Sequence, residues 1–211
     1  MQLIFIHGAG GSHLNWLLIT RKLKNLKIVN VDLPISESIE NYEKFFKAIL
    51  NEDSIIIGHS MGGAVGYYLS VVFDRIKGLV IINSAIFDKF DIDLSKNEIC
   101  ERLYFSKKLI DDCKRRDYLM FKNSQLLKNH LEILNKFDAY KYIEKFLKKN
   151  LKAFHIIGEN DKLVPIESLL KTSNLLNVIR NYFISECGHM PHIEKPDEVL
   201  RILKDIFIYF N

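Results

Sequence analysis

Proline and glycine are scarce in this chain, at four and ten of 211 residues, and no low-complexity linker or internal repeat divides it. It reads as one domain, long enough to bury a full core. Cysteine is scarcer still. Cys100, Cys113 and Cys187 are an odd number without metal-ligand spacing, which points to free thiols in a reducing compartment. No apolar run approaches the length of a membrane span, and Met1-Gln2-Leu3-Ile4-Phe5-Ile6 is too short and too uncharged for a signal peptide. Nor does one sign of charge dominate: the net charge is +4, and basic residues alternate with acids. Lys107-Lys108 and Lys114-Arg115-Arg116 surround Asp111 and Asp112, the pattern of a solvated helix face and not of a nucleic-acid surface. These absences describe a soluble, cytoplasmic protein with no nucleic-acid partner and no membrane span.

What is present is a rhythm. Short, nearly continuous apolar runs at 3–6, 28–31, 55–57, 79–82, 153–157 and 182–184 read as strands buried on both faces. Helix-period segments at about 14–24, 37–50, 62–74, 165–175 and 196–210 lie between them. That alternation predicts an α/β fold, a doubly wound and mostly parallel sheet of about six strands with right-handed crossovers. One interval breaks it. From about Phe87 to Asn150 there is helical pattern only, rich in aromatics and lysine. Its last part, 138–149, reads as an ordinary crossover helix, and 88–136 as an inserted helical cap. The expected organisation is a core of 1–87 and 137–211 with a cap of 88–136.

The third apolar run ends in Gly58-His59-Ser60-Met61-Gly62-Gly63, a Gly-x-Ser-x-Gly pattern. A serine hydroxyl is a poor nucleophile, and a tight strand-to-helix turn is the backbone that best exposes one. Such a turn strains the serine and needs small residues two before and two after it. With glycine at roughly 7% of residues, a chain this long shows the pattern by chance about one time in ten. Its context separates it from chance. In an open parallel sheet, ligands bind beyond the carboxyl ends of the strands, and four loops there carry chemically capable groups. His7-Gly8-Ala9-Gly10-Gly11-Ser12 follows the first strand and Ser60 the third. Gly158-Glu159-Asn160-Asp161 follows the fifth, and Cys187-Gly188-His189 the sixth.

The order Ser60, Asp161, His189 resembles the nucleophile–acid–histidine order of the α/β-hydrolase fold. His7-Gly8-Ala9-Gly10 looks like that family's oxyanion-hole loop. Gly158-Glu159-Asn160-Asp161-Lys162-Leu163-Val164-Pro165 resembles its acid loop, and Gly188-His189-Met190-Pro191-His192-Ile193-Glu194-Lys195-Pro196 its histidine loop. The likeness runs from Leu3 to the C-terminal helix, with the cap unconstrained. Two features depart from the family: its usual first two strands have no counterpart before Leu3, and Asp32-Leu33-Pro34 continues Ile35-Ser36-Glu37-Ser38 without a glycine-rich turn. The shorter loop is expected to open one side of the site.

The resemblance implies an enzyme, a serine hydrolase. Ser60 attacks an acyl carbonyl while His189 takes its proton and Asp161 holds the imidazole. The backbone N–H groups of Ala9 and Met61 serve as the oxyanion hole. Glu159 competes with Asp161, but the family's acid lies three residues after the glycine. His192 competes with His189, which directly follows Gly188. His7 and His59 have structural counterparts in the family, while His13, His130 and His155 read as surface or packing histidines. No spacing suggests a metal, and no cofactor is implied.

Two other readings fit less. Gly8-x-Gly10 followed by Asp32 imitates a dinucleotide-binding unit, but His13 stands where the third glycine belongs. No Lys-Ser or Lys-Thr follows the glycines, as a phosphate loop requires. A binding protein that keeps the fold without turnover is a third class. Serine at position 60 disfavours dehalogenase and epoxide hydrolase chemistry. A carboxylesterase acting on a small-molecule ester with a small or medium acyl group is the expectation, with a thioesterase or carbon–carbon bond hydrolase as alternatives. Phe87, Phe90, Tyr104, Phe105, Tyr118, Met120, Phe121, Leu126, Leu127 and Leu131 supply cap core and the expected apolar pocket.

Overall fold

The structure, a computed structural model, describes residues 1–89, 99–116 and 124–210. Six strands form one sheet: β1 (Gln2–Ile6), β2 (Lys27–Val31), β3 (Ser54–His59), β4 (Ile76–Ile82), β5 (Lys152–Gly158) and β6 (Arg180–Ile184). The helices are α1 (Leu17–Thr20), α2 (Tyr42–Lys47), α3 (Met61–Val72), α4 (Ile99–Leu103), α5 (Lys107–Arg116), α6 (Gln125–Lys136), α7 (Ile143–Lys148), α8 (Ile166–Leu175), α9 (Pro191–Glu194) and α10 (Pro196–Phe207).

All pairings are parallel, in the order β2-β1-β3-β4-β5-β6. The apolar runs of β1, β3, β4 and β5 became strands because their side chains are buried on both faces, whereas the edge strands β2 and β6 are buried only in part. Ile4, Ile6, Ile56, Leu79 and Ile81 pack on one side with α3 and α7. Leu3, Phe5, Ile55, Ile57, Val80 and Ile82 pack on the other with Trp16, Val199 and Leu203. A strand wedged between two helical layers has no polar face to alternate with. The chain runs outward to β2 and then returns past β1 to β3, so the order reverses between β1 and β3. That reversal opens a crevice at their carboxyl ends, where Gly8–Gly11 and Ser60 lie.

Two expected helices are shorter than the sequence pattern. The segment expected at 14–24 is a 3-10 turn at His13–Trp16 followed by α1, and that expected at 37–50 contains α2 alone. In the second case Ser36 and Ser38 hydrogen-bond each other, Ser36 Oγ donating to the Ser38 carbonyl at 2.9 Å, which spends the segment's start on a turn. Side chains that satisfy nearby backbone favour turns over helix. Between β4 and β5 the described residues form α4, α5, α6 and α7. Among the described residues no helix is long and apolar enough to cross a membrane.

One expectation is corrected. Cys100 on α4 and Cys113 on α5 form a disulfide, their Cα atoms 5.8 Å apart, and only Cys187 is a free thiol, buried. The turn between α4 and α5 folds two helices into contact, a juxtaposition that linear spacing does not reveal. The thiol argument for a reducing compartment falls with it. Closing a loop of this length stabilises a fold by up to about 3 kcal/mol. Paired Cys100→Ser and Cys113→Ser substitution is therefore expected to lower unfolding stability by up to about 3 kcal/mol. The newly lost amide protection should concentrate in 99–116, as urea titration and hydrogen exchange would read.

Candidate active site

Ser60 stands at the sharp junction of β3 and α3 with φ 50° and ψ −120°, a sparsely populated conformation for a residue with a side chain. The junction closes because Gly58 and Gly62 carry no Cβ. A Cβ on Gly58 would meet the Gly62 carbonyl, and one on Gly62 the Ile6 carbonyl, both closer than 3.0 Å. The Ser60 amide donates to the Ile82 carbonyl at 2.9 Å, and Ser84 Oγ donates to the Ser60 carbonyl at 2.6 Å. These bonds hold the turn against β4.

Asp161 and His189 meet across two loops. His189 Nδ1 lies 2.7 Å from Asp161 Oδ2, both side chains 2% exposed. A ring nitrogen facing a carboxylate carries the proton, leaving Nε2 as the basic nitrogen. Asp161 is saturated with donors: Oδ1 accepts from the Leu163 and Val164 amides at 2.8 and 2.9 Å, and Oδ2 also from Asn83 Nδ2 at 2.9 Å. The described hydrogen bonds tie His189 to Asp161. What Ser60 shares with His189 is the wall of one cavity.

That cavity has a volume of about 100 Å³. Gly8, Ala9, Ser60 and His189 line it from the strand ends, and Ile99, Leu103, Leu127, Leu131 and Leu134 from α4 and α6. Met61, the other expected oxyanion donor, is the first residue of α3 and fully buried. Of the apolar residues named for the cap, Leu127 and Leu131 line the cavity, Phe87 packs in the main core, and Phe105 is exposed. Phe90, Tyr118, Met120 and Phe121 lie outside the described residues. Glu159 is exposed. Among the described residues no cluster of His, Cys, Asp and Glu is placed to hold a metal ion.

The other histidines sort by their partners. His7 Nδ1 donates to the Gly8 carbonyl at 2.7 Å, and His7 Nε2 accepts from the Leu33 amide at 3.0 Å. His59 Nε2 donates to the His189 carbonyl at 2.8 Å. His192 is buried against Trp16, ring centroids 4.4 Å apart. His13 pairs with Asp32 at the surface, and His155 is buried against Ser173 at 2.8 Å. His130, read from sequence as a surface or packing residue, is fully buried and bonds the Gly10 amide. The loop after Pro34, expected to leave one side open, is docked on α6: Asn129 accepts from the Ser36 amide at 3.0 Å and donates to its carbonyl at 2.7 Å.

Sequence reasoning missed two further residues. Asn83, at φ 43° just beyond β4 and fully buried, donates to Asp161 and to the Gly188 carbonyl at 3.0 Å, and accepts from the Gly158 amide at 2.8 Å. Its only sequence signal is a polar residue immediately after an apolar strand. Glu194 accepts from the amides of Gly188 at 2.7 Å, Phe105 at 2.9 Å and Ser106 at 3.1 Å. Together with the His189 amide donating to the Leu103 carbonyl at 2.9 Å, it ties the histidine loop to α4.

With this geometry in view, known proteins give it a lineage. Residues 3–202 match the alpha/beta hydrolase family. The chain belongs to that family. It is 27% identical over 249 residues to the pimeloyl-[acyl-carrier protein] methyl ester esterase of Wigglesworthia glossinidia brevipalpis, spanning all of this chain and 95% of that protein. It is 23% identical to the 2-hydroxy-6-oxo-6-(2'-aminophenyl)hexa-2,4-dienoic acid hydrolase of Metapseudomonas resinovorans, spanning 92% of this chain and 80% of that protein. Among solved structures, a meta-cleavage product hydrolase from Pseudomonas fluorescens superposes with a TM-score of 0.80 at 19% identity, covering 100% of this chain and 92% of that one. A thermophilic esterase from Thermogutta terrifontis does so with a TM-score of 0.77 at 13% identity, covering 99% and 90%. The last two likenesses show the fold, and the family assignment makes this chain an alpha/beta-fold hydrolase.

Two predictions follow from the buried polar groups. Burial pushes His130 down to about 4, and His155 and His192 to about 3, all below the unfolded imidazole value of about 6.5. The unfolded chain therefore binds more protons between those values. The stability these groups contribute is complete above about pH 6.5 and is lost as the pH falls towards 4 and 3. The three alone set a slope of about 4 kcal/mol per pH unit near pH 5, which urea unfolding across pH 5 to 8 would measure. Asn83→Ala leaves the buried Gly158 amide without its acceptor and is expected to cost about 1–3 kcal/mol in the same assay at pH 7.5.

Proposed function

We propose that this hydrolase is a serine esterase acting on neutral carboxylic esters with small or medium acyl groups. Ser60 Oγ attacks the ester carbonyl, His189 Nε2 takes the hydroxyl proton and returns it to the departing alcohol, and the imidazolium is stabilised by Asp161. The oxyanion accepts from the backbone amides of Ala9 and Met61, each such donor being worth roughly 2.7–4 kcal/mol of barrier. Water, activated by the same imidazole, then releases the acid. Residues 88–136 act as the cap over the acyl pocket.

The observation that carries this reading is the strained Ser60 sharing one cavity with a His189 that is hydrogen-bonded to a buried, donor-saturated carboxylate. Backbone strain of this kind persists where the surrounding fold enforces it and clusters at reactive positions. The cavity also bears on the leaving group and the acyl part. No Lys or Arg is among its described lining residues, and its acid, Asp88, is already paired with Lys171. A substrate that carries a free carboxylate would meet no cation among these described residues, whereas a neutral ester needs none. That favours an ester over the dienoic acid named for the second relative, and the methyl ester named for the first is consistent with it. A thioester differs only in its leaving group and is the alternative on the same residues.

The expected outcome is turnover of short-chain p-nitrophenyl esters, falling as the acyl chain outgrows a cavity well below the roughly 300–1,000 Å³ of drug-sized sites. Ser60→Ala should remove at least about 10³-fold of that activity and all labelling by a fluorophosphonate probe. Wild-type protein that neither hydrolyses esters or acyl thioesters nor takes up the probe would identify a non-catalytic binding protein and sink the proposal.

A further inference from the structure

The oxyanion loop is a run of three glycines around one alanine, Gly8-Ala9-Gly10-Gly11, and glycine-rich backbone is conformationally loose. An oxyanion donor, however, works by being fixed in aim before the reaction. The loop must therefore be held from outside, and the structure shows by what. On its first side, His7 bridges the Gly8 carbonyl to the Leu33 amide. On its second side, the Gly10 amide donates to His130 Nδ1 at 3.1 Å. Because that nitrogen accepts, the ring proton sits on Nε2, which faces the Pro34 carbonyl at 3.4 Å. His130 is fully buried, and burial holds its pKa down to about 4, so the accepting lone pair is intact at neutral pH.

His130 comes from α6, which is remote in sequence from the loop. Its neighbour one turn earlier, Leu127, lies directly against Gly10: a Cβ there would come within 2.8 Å of the Leu127 Cβ. Gly10 holds φ +67°, a conformation that side-chain-bearing residues rarely adopt. The Ser36–Asn129 pair of hydrogen bonds seats the same stretch of α6 on the loop after β2. Ala9, the proposed donor, is thus the residue between two imidazole-held points, and its own position lines the cavity.

We propose that His130 is a positioning residue: it aims the Ala9 amide by holding Gly10, so that the seating of α6 on the core sets the competence of the oxyanion hole. Helix α6 also lines the acyl cavity through Leu127, Leu131 and Leu134. A substrate that presses on those leucines therefore acts on the element that holds the oxyanion loop. This role rests on the esterase reading and on Ala9 as a donor.

The test compares His130→Asn, whose side-chain oxygen can accept from the Gly10 amide, with His130→Leu, which fills the space without an acceptor. Lys128→Ala, an exposed position on the same helix, is the control. Each is measured for kcat and KM on a short p-nitrophenyl ester, for thermal midpoint, and for amide hydrogen exchange in peptides covering residues 7–14. His130→Leu is expected to lower kcat about tenfold or more with KM within about twofold, and to speed exchange in that segment. His130→Asn should recover most of kcat, and Lys128→Ala should match wild type. Equal kcat in the Leu and Asn variants, a loss borne by KM alone, or exchange unchanged in His130→Leu would each overturn the proposal. If His130→Leu fails to fold, His130→Asn against His130→Ser, which is too short to reach, gives the same comparison. A wild-type protein inert towards esters and the fluorophosphonate probe would refute the esterase reading. Exchange then decides separately whether His130 holds the loop, and unchanged exchange refutes that hold as well.

Discussion

The close crossing of β3 and α3 is the constraint on which the candidate site depends. Two glycines let the backbones of Gly58, Gly62 and Ile6 approach closer than any side chain would permit, and Ser60 is forced to φ 50° at the point of closure. Relieving that strain requires parting a strand buried on both faces from a helix that is buried over eleven of its twelve residues. The sheet face that carries Ile4, Ile6, Ile56, Leu79 and Ile81 would lose its apolar contact with α3. Burial of roughly 25 cal/mol per Å² of apolar surface easily exceeds a local strain of about 1–3 kcal/mol. The placement of the Ser60 hydroxyl is a by-product of core packing.

The acid and the histidine are fixed differently, by polar saturation. Asn83 sits where β4, the β5 loop and the histidine loop converge, and its three hydrogen bonds span all of them. Asp161 has a donor on every side, which satisfies a carboxylate that is only 2% exposed. Buried charge is tolerated when each lone pair is met. Once it is met, the carboxylate has no better rotamer to adopt, and the imidazole bonded to it inherits that rigidity.

Much of this was legible in the sequence. Two-sided burial turned the four central strands into apolar runs, and the half-buried edge strands kept enough apolar residues that all six strands could be read within a few residues. The loop motifs then fell on one edge, at the strands' carboxyl ends, because every strand pairing is parallel. What was not legible shares one property: it depends on residues that meet only after the chain has folded. The Cys100–Cys113 disulfide needs the α4–α5 turn. Asn83 needs β5 beside β4, and His130 needs α6 laid over the first loop, so a lone histidine in a helical stretch read as packing. The shortened helix at 42–47 reflects turn-forming serines at the start of its segment that outcompeted helical periodicity.

The division of labour follows chain order. The sheet positions Ser60, Asp161 and the start of the Gly8–Gly11 loop, through bonds such as Ser60 to Ile82 and Asp161 to Asn83. The segment between β4 and β5 reaches the other two loops from above. The carbonyl of Leu103 receives the His189 amide, the amides of Phe105 and Ser106 meet Glu194, and His130 receives the Gly10 amide. Those same helices supply the apolar wall of the cavity. Specificity and alignment are therefore not separable properties here. On the esterase reading proposed above, replacing the wall to admit a longer acyl chain moves the supports of the His189 and Gly8–Gly11 loops as well, so a change in substrate preference carries a change in turnover unless Leu103, Glu194 and His130 keep their partners.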